Sequence, residues 1–309
     1  MTEKILITGG CGFIGANLIP LLEKKNYKVR VLDNLSRGQQ ELLSDTSAEI
    51  IIADIRDRDA IKNAMEDITM VIHLAAYGSV VESTSDIITN FEINARGTLN
   101  MLDAAYTNGV KKFIFASTGG AIVGDAEPPV NELSPSRPKS PYGASKMTGE
   151  AYCFAYSGTF KLPTVILRFA NIYGPNSAHK TSATTVFCKA LLAKKPITIF
   201  GDGSASRDFL YVEDLCNGII LALEKDVSPG TVLHLATANE TTVKEFVNIL
   251  LQVSGQLNHP VEYLPARPGE ILRNFASFER AAELLGFKPI TSIEEGLRKT
   301  WNWYASQCK

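Results

Sequence analysis

The 309-residue chain has little of several things that would point to a specialised architecture. It lacks a charge bias: 31 Lys and Arg stand against 33 Asp and Glu, a formal net charge of −2 and a pI near 6.1. Without a basic field, neither nucleic acid nor an anionic membrane is an expected partner. Cysteine is sparse, and the five present (Cys11, Cys153, Cys188, Cys216 and Cys308) are odd in number, scattered, and free of CxxC or metal-ligand spacing. That excludes a disulfide scaffold and a structural metal, and it suits a reducing cytoplasm. No run approaches the roughly 20 apolar residues of a membrane span. The first stretch is apolar only over Ile5 to Ile7 before glycines interrupt it, too short for the core of a signal peptide. A soluble, cytoplasmic protein is therefore expected. Repeats, low-complexity tracts and long linkers are missing too, so one large α/β domain, or a large and a smaller domain sharing a cleft, is the expected organisation.

What is present is alternation. Six short β-rich runs, at 4–8, 28–32, 49–53, 70–74, 111–117 and 164–167, alternate with helical patterns that are clearest at 12–25, 57–65, 87–108 and 142–156. Strands separated by helices predict a parallel sheet covered on both faces. After Gly174 and Pro175 the texture changes: helices are predicted at 184–193, 212–223, 243–253, 278–285 and 293–304, and strands at 197–200, 231–235 and 261–263. The expected division is a first domain over 1–174 to which 208–236 returns, and a smaller, partly interleaved substrate domain from 175–207 and 237–309.

Directly after the first strand, Gly9, Gly12 and Gly15 form a GxxGxxG array that opens a helix. Glycines there allow a tight turn and close backbone approach to a pyrophosphate, and the helix N-terminus offers free N–H groups and the positive dipole end. Asp33 closes the second strand, placed to accept the adenosine ribose hydroxyls. The fold predicted is thus a Rossmann-type doubly wound sheet binding a dinucleotide. A carboxylate at Asp33 repels a 2′-phosphate and favours NAD, while the nearby Arg37 keeps NADP open. Asp54 and Ile55 suit the adenine edge, and Leu74, Ala75 and Ala76 a backbone wall beside the cofactor. His73, closing a strand, reads as a packed or hydrogen-bonded residue without chemistry.

A second motif is Pro141, Tyr142, Gly143, Ala144, Ser145, Lys146, which sets a phenol and an ammonium four residues apart on one helix face. A nearby cation stabilises a phenolate, so the pair reads as a proton-transfer device; lowering a tyrosine by three pH units takes roughly 4 kcal/mol.

These motifs, with Asn94, Gly97 and Thr98, Ser117 and Thr118, Leu167 to Phe169, Asn171, Tyr173 to Pro175, Phe200 to Gly203, Arg207 to Phe209, Val212 to Asp214 and Arg267 to Glu270, occur in an order that resembles the extended short-chain dehydrogenase/reductase family, in its nucleotide-sugar epimerase and dehydratase branch. The resemblance runs nearly end to end. It implies that Tyr142 is the catalytic base and that Lys146 holds the nicotinamide ribose and depresses the tyrosine pKa. It implies that Thr118, with Ser117 a further candidate, bonds the reacting hydroxyl, because the position counted back from Gly124 falls on Gly119. Gly9, Gly12, Phe13, Ile14, Gly15, Asp33, Asn34, Asp54, Ile55, Leu74, Ala75, Ala76, Asn94 and Phe169 would join Tyr142 and Lys146 around NAD. Asn171, Arg207, Arg267 and Glu270 would grip the nucleotide diphosphate, and Asn274 would face the sugar, leaving plain and N-acetylated hexoses both open.

The implied activity is NAD-dependent epimerisation at C4 of a UDP-sugar through a transient 4-keto sugar. The nearest alternative, a 4,6-dehydratase, needs an Asp and Glu pair where this chain has Gly119 and Gly120; a noncatalytic NAD-binding module is a further alternative on the same fold. The resemblance also implies a homodimer through helices 87–108 and 142–156.

Overall fold

The computed structural model of the chain describes residues 3–266 and 272–307. Arg267, Glu270 and Cys308 lie outside the described residues. Seven strands form one parallel sheet: β1 (Lys4–Thr8), β2 (Lys28–Asp33), β3 (Glu49–Ile52), β4 (Met70–His73), β5 (Lys112–Thr118), β6 (Thr164–Phe169) and β7 (Thr231–Leu235). Their spatial order is β7-β6-β5-β4-β1-β2-β3. The chain steps outward from β1 to β3, then returns to lay β4 against the other side of β1. That reversal opens a crevice beyond the carboxyl ends of β1 and β4, where such sheets bind ligands.

Strand periodicity explains the two core layers. Ile5, Ile7, Val29, Val31, Ile114 and Leu167 pack with Leu18, Ile19 and Leu22 of the helix Phe13–Lys24 and with Leu215 and Ile219 of the helix Val212–Glu224. The alternate residues Leu6, Leu32, Val71, Phe113, Phe115 and Ile166 pack on the opposite face with Met101, Leu102 and Ala105 of the helix Gly97–Thr107 and Cys153 and Tyr156 of the helix Pro141–Phe160. Both faces are dry, which is why these strands read as near-continuous apolar runs.

The expected helix over 87–108 is not continuous. It runs as Ile87–Phe91, one π-helical turn Glu92–Arg96, and Gly97–Thr107. The Asn94 carbonyl in that turn accepts the Thr98 hydroxyl at 2.6 Å, and its side chain is drawn sideways to Tyr77 and Ser145. Two short helices also escape the periodicity argument, Val80–Ser85 and Gly119–Val123; neither is long enough to show it.

The remaining segments build a lobe beside the carboxyl end of the sheet. The helix Val243–Val253, opened by a reciprocal Thr242 and Glu245 capping box, packs against the helix Ile293–Ser306, which also meets Ala183–Leu192. Short strands form small separate sheets: Phe209–Tyr211 pairs with Asn171–Tyr173, and Ser206–Arg207 lies between Thr241–Thr242 and Arg273–Asn274.

Candidate cofactor cleft and active site

Gly9 leaves β1 at φ +70, and a Cβ there would stand 2.7 Å from the Ala75 nitrogen, so the glycine loop and the exit of β4 touch. Gly12 caps the helix Phe13–Lys24 without a side-chain bond, and no acid occupies its first turn. The helix therefore presents free N–H groups and an unscreened dipole end to the crevice. Asp33, 8% exposed, accepts from Cys11 N at 3.0 Å and Leu35 N at 2.9 Å; burial raises its pKa and these two bonds oppose the rise. Asp54 is held by Arg56 through two contacts of 2.9 and 2.8 Å and by Asn34 at 2.8 Å, chiefly the Arg56 bond bringing it down to about 2.

One cleft is lined by Gly9, Gly12, Phe13, Ile14, Asp33, Asn34, Asp54, Ile55, Leu74, Ala75, Ala76, Tyr142, Lys146 and Phe169. A cleft lined by an uncapped helix N-terminus and by the Asp33 carboxylate fits a dinucleotide. Two residues expected there lie behind it instead. Gly15 packs its α-carbon against the Gly10 carbonyl, and Asn94, 1% exposed, braces the wall by accepting Tyr77 N at 2.7 Å and donating to Ser145 Oγ at 3.0 Å.

His73 belongs to the same bracing. The Thr98 hydroxyl donates to Asn94 O, so it accepts from His73 Nε2, 3.0 Å away; His73 Nδ1 then accepts the Thr8 hydroxyl at 2.6 Å, and Thr8 Oγ1 accepts Ala75 N at 3.2 Å. The ring is fully buried, and burial followed by the Lys146 charge holds it near 3, hence neutral.

Ser140 caps the helix Pro141–Phe160 by accepting Gly143 N at 3.1 Å, and Pro141 occupies its first turn. This start places Tyr142 and Lys146 on the cleft side. Lys146, 3% exposed, donates to the Ala116 carbonyl at 2.8 Å and sits 4.9 Å over the Phe115 ring; burial brings it down to about 8. Burial pushes the Tyr142 phenol up to about 12, and the Lys146 ammonium is engaged with the strand carbonyl.

One turn further, Glu150 forms a buried, two-pronged ion pair with Arg168 at 2.9 and 2.7 Å and accepts the Ser117 hydroxyl at 2.6 Å. Ser117 lines the cleft, but its hydroxyl proton is taken by Glu150. The Thr118 hydroxyl makes no bond to a described residue.

The structure brings three of the expected substrate residues to the carboxyl end of the sheet. Arg207 pairs with Asn274 in register, Asn171 N donates to Asp208 O at 2.9 Å, and the Asn274 amide lies against Gly120. Sequence reasoning gave Asp208 no role of its own. It is 1% exposed and gathers Thr237 N and Oγ1, Ala238 N and Ala276 N, clasping both loops beside Arg207 and Asn274. The positions of the acid pair that a dehydratase would need carry no carboxylate: Gly119 lies beside the His234 ring, and a side chain at Gly120 would require the Asn274 amide to move.

A parallel sheet whose switch-point cleft offers phosphate-binding backbone beside a Tyr and a buried Lys defines a dinucleotide-dependent α/β enzyme. Residues 5–236 match the NAD dependent epimerase/dehydratase family, and the chain belongs to that family. It is 33% identical over 312 residues to the UDP-glucose 4-epimerase of Mycolicibacterium smegmatis, covering 98% of this chain and 99% of that one. The structure is similar to a UDP-glucose 4-epimerase of Thermotoga maritima solved with UDP-glucose, with a TM-score of 0.95 and 34% identity over 99% of this chain and 100% of the other. It is also similar to a dTDP-glucose 4,6-dehydratase of Streptomyces venezuelae solved with NAD, at a TM-score of 0.92 and 30% identity over 98% and 97% of the two chains.

Proposed function

We propose that the protein is an NAD-dependent UDP-sugar 4-epimerase, with Tyr142 and Lys146 at the reacting carbon and Thr118 on the reacting hydroxyl. The observation that carries this reading is the pairing of Tyr142 and Lys146 at a dinucleotide cleft, with Gly119 and Gly120 where an eliminating acid pair would stand. NAD supplies reversible two-electron oxidation at C4. Tyr142 accepts the proton of the C4 hydroxyl as that carbon becomes a ketone, and returns it when the alcohol re-forms with opposite configuration. The proton and electron counts close, and the reaction has no net redox. Ser117 is engaged by Glu150, which supports Thr118 as the hydroxyl partner.

Asn171 and Arg207, with Arg267 and Glu270, grip the nucleotide while the sugar turns, so binding energy is drawn from a part of the substrate that does not react. A medium polar Asn274 beside the sugar admits plain and N-acetylated hexoses. NAD stays bound through the cycle, since the same cofactor must give back what it takes. Exposed apolar side chains on the two helices of the expected contact, among them Ile88 (73%), Phe91 (52%) and Phe154 (47%), support a homodimer. No helix among the described residues is long and apolar enough to cross a membrane, and four buried free thiols support a reducing, cytoplasmic setting.

The test is incubation of the purified protein with a panel of nucleotide sugars and NMR resolution of the products. 4-Epimers are expected; 4-keto-6-deoxy sugars would replace the epimerase reading with the dehydratase.

A further inference from the structure

The segment between Gly174 and Ser182 contributes His179, Lys180 and Thr181 to the lining of the cleft, and it is fastened at several points. Ser177, 2% exposed, donates to Gly174 O at 2.7 Å and meets the Tyr304 hydroxyl at 3.0 Å, while Thr185 Oγ1 donates to Ser177 O at 3.1 Å. From the other side, Asn17 in the helix that follows the glycine loop donates to Pro175 O at 3.1 Å. A turn from Lys180 N to Ser177 O then brings the Lys180 ammonium 5.6 Å over the Phe13 ring, beside the first turn of that helix.

Lys180 is one of three basic residues lining this mouth of the cleft, with His179 and Arg37. The Arg37 guanidinium lies 5.0 Å over the Tyr77 ring and is answered by Glu82. No carboxylate lies within ion-pair distance of Lys180 among the described residues, and His179 Nδ1 is buried without a partner. Lys180 and His179 thus have no counter-anion among the described residues, and Lys180 stands beside the first turn of the uncapped helix.

We propose that Lys180 binds the cofactor pyrophosphate beside the first turn of the helix Phe13–Lys24, so that the phosphates meet both a helix N-terminus and the ammonium of the 174–182 segment. This rests on the reading that the cleft takes NAD. A charge-assisted contact of this kind raises affinity and slows cofactor loss, and it ties the closing of the lobe to occupancy of the cleft. The nucleotide sugar also carries a diphosphate. The position of Lys180 over Phe13, in the glycine loop's own helix, assigns it to the cofactor.

The experiment measures equilibrium binding of NAD, ADP-ribose, adenosine and UDP to the wild type and to Lys180→Ala and Lys180→Arg, at low and high salt. Expected are NAD and ADP-ribose weakened about tenfold or more in Lys180→Ala with a shallower salt dependence, near-normal binding in Lys180→Arg, and unchanged adenosine and UDP. Wild-type affinity and salt slope in Lys180→Ala overturn the proposal, as does an equal weakening of adenosine or a loss confined to UDP. A wild type that binds neither NAD nor ADP-ribose fails the functional reading itself, and the two failures are thereby told apart.

Discussion

Replacing Tyr142 by Phe removes one oxygen and leaves the ring in place. That oxygen makes no hydrogen bond to a described residue, and the position is tied down through its backbone, Tyr142 N donating to Ser83 Oγ at 3.2 Å. Folding stability should therefore change by no more than about 0.5 kcal/mol. The chemical effect is far larger. With the phenol pushed up to about 12, only about one part in ten thousand is phenolate at pH 8, and drawing it down to about 8 demands roughly 5 kcal/mol of differential stabilisation. The bound cofactor's charge and the ammonium of Lys146 are the groups placed to provide it, once the ligand enters the cleft and Lys146 turns toward it.

A positioned acid or base contributes about 10²- to 10⁴-fold, so kcat in Tyr142→Phe should fall by that factor, about 3 to 5 kcal/mol in the barrier. The assay is 4-epimer formation followed by NMR, with NAD binding and thermal unfolding measured on the same samples. A kcat within about tenfold of wild type would falsify the assignment of Tyr142 as the base. So would a loss of activity that merely tracks a loss of NAD binding or of the fold.

Three further outcomes follow from the packing. Arg168→Met leaves the buried Glu150 carboxylate without its cation, the Ser117 hydroxyl being its remaining partner, and should cost about 3 to 5 kcal/mol in urea unfolding, whereas pairing it with Glu150→Met should recover most of that; equal losses in single and double variants would refute the account. His73 and His234 are each held near 3, burial being the main cause in both, while the unfolded chain titrates them near 6.5. Stability is thus complete above about pH 6.5 and falls as pH drops toward 3, by up to about 1.4 kcal/mol per pH unit for each ring; His234→Gln should lose less stability than wild type between pH 7 and 5, and identical slopes would count against it. Phe91→Glu together with Phe154→Glu should halve the mass seen by light scattering, and an already monomeric wild type would remove the dimer.

The sequence by itself determined the parallel α/β sheet, the dinucleotide loop at Gly9 to Gly15, the acceptor at Asp33, and the spacing of Tyr142 and Lys146. Each of these is local: strand and helix periods, a glycine turn between them, and two side chains one helical turn apart are visible within a few residues. What only the tertiary structure decided depends on partners far apart in the chain. Periodicity is blind to the π turn at Glu92–Arg96, which serves bonds from Asn94 to Tyr77 and Ser145. The motif put Thr118 first with Ser117 a further candidate, and it gave no sign that the Ser117 hydroxyl is taken by Glu150, 33 residues away. The Asp208 clasp joins residues 29 to 68 apart, and the Ser177 anchor that carries Lys180 to the cofactor cleft closes on Tyr304, 127 residues later. A side chain's pKa and its commitments follow from what surrounds it in space, so the same Tyr142 and Lys146 that were recognised from spacing acquired their electrostatics only when the sheet, the helix and the second lobe came together.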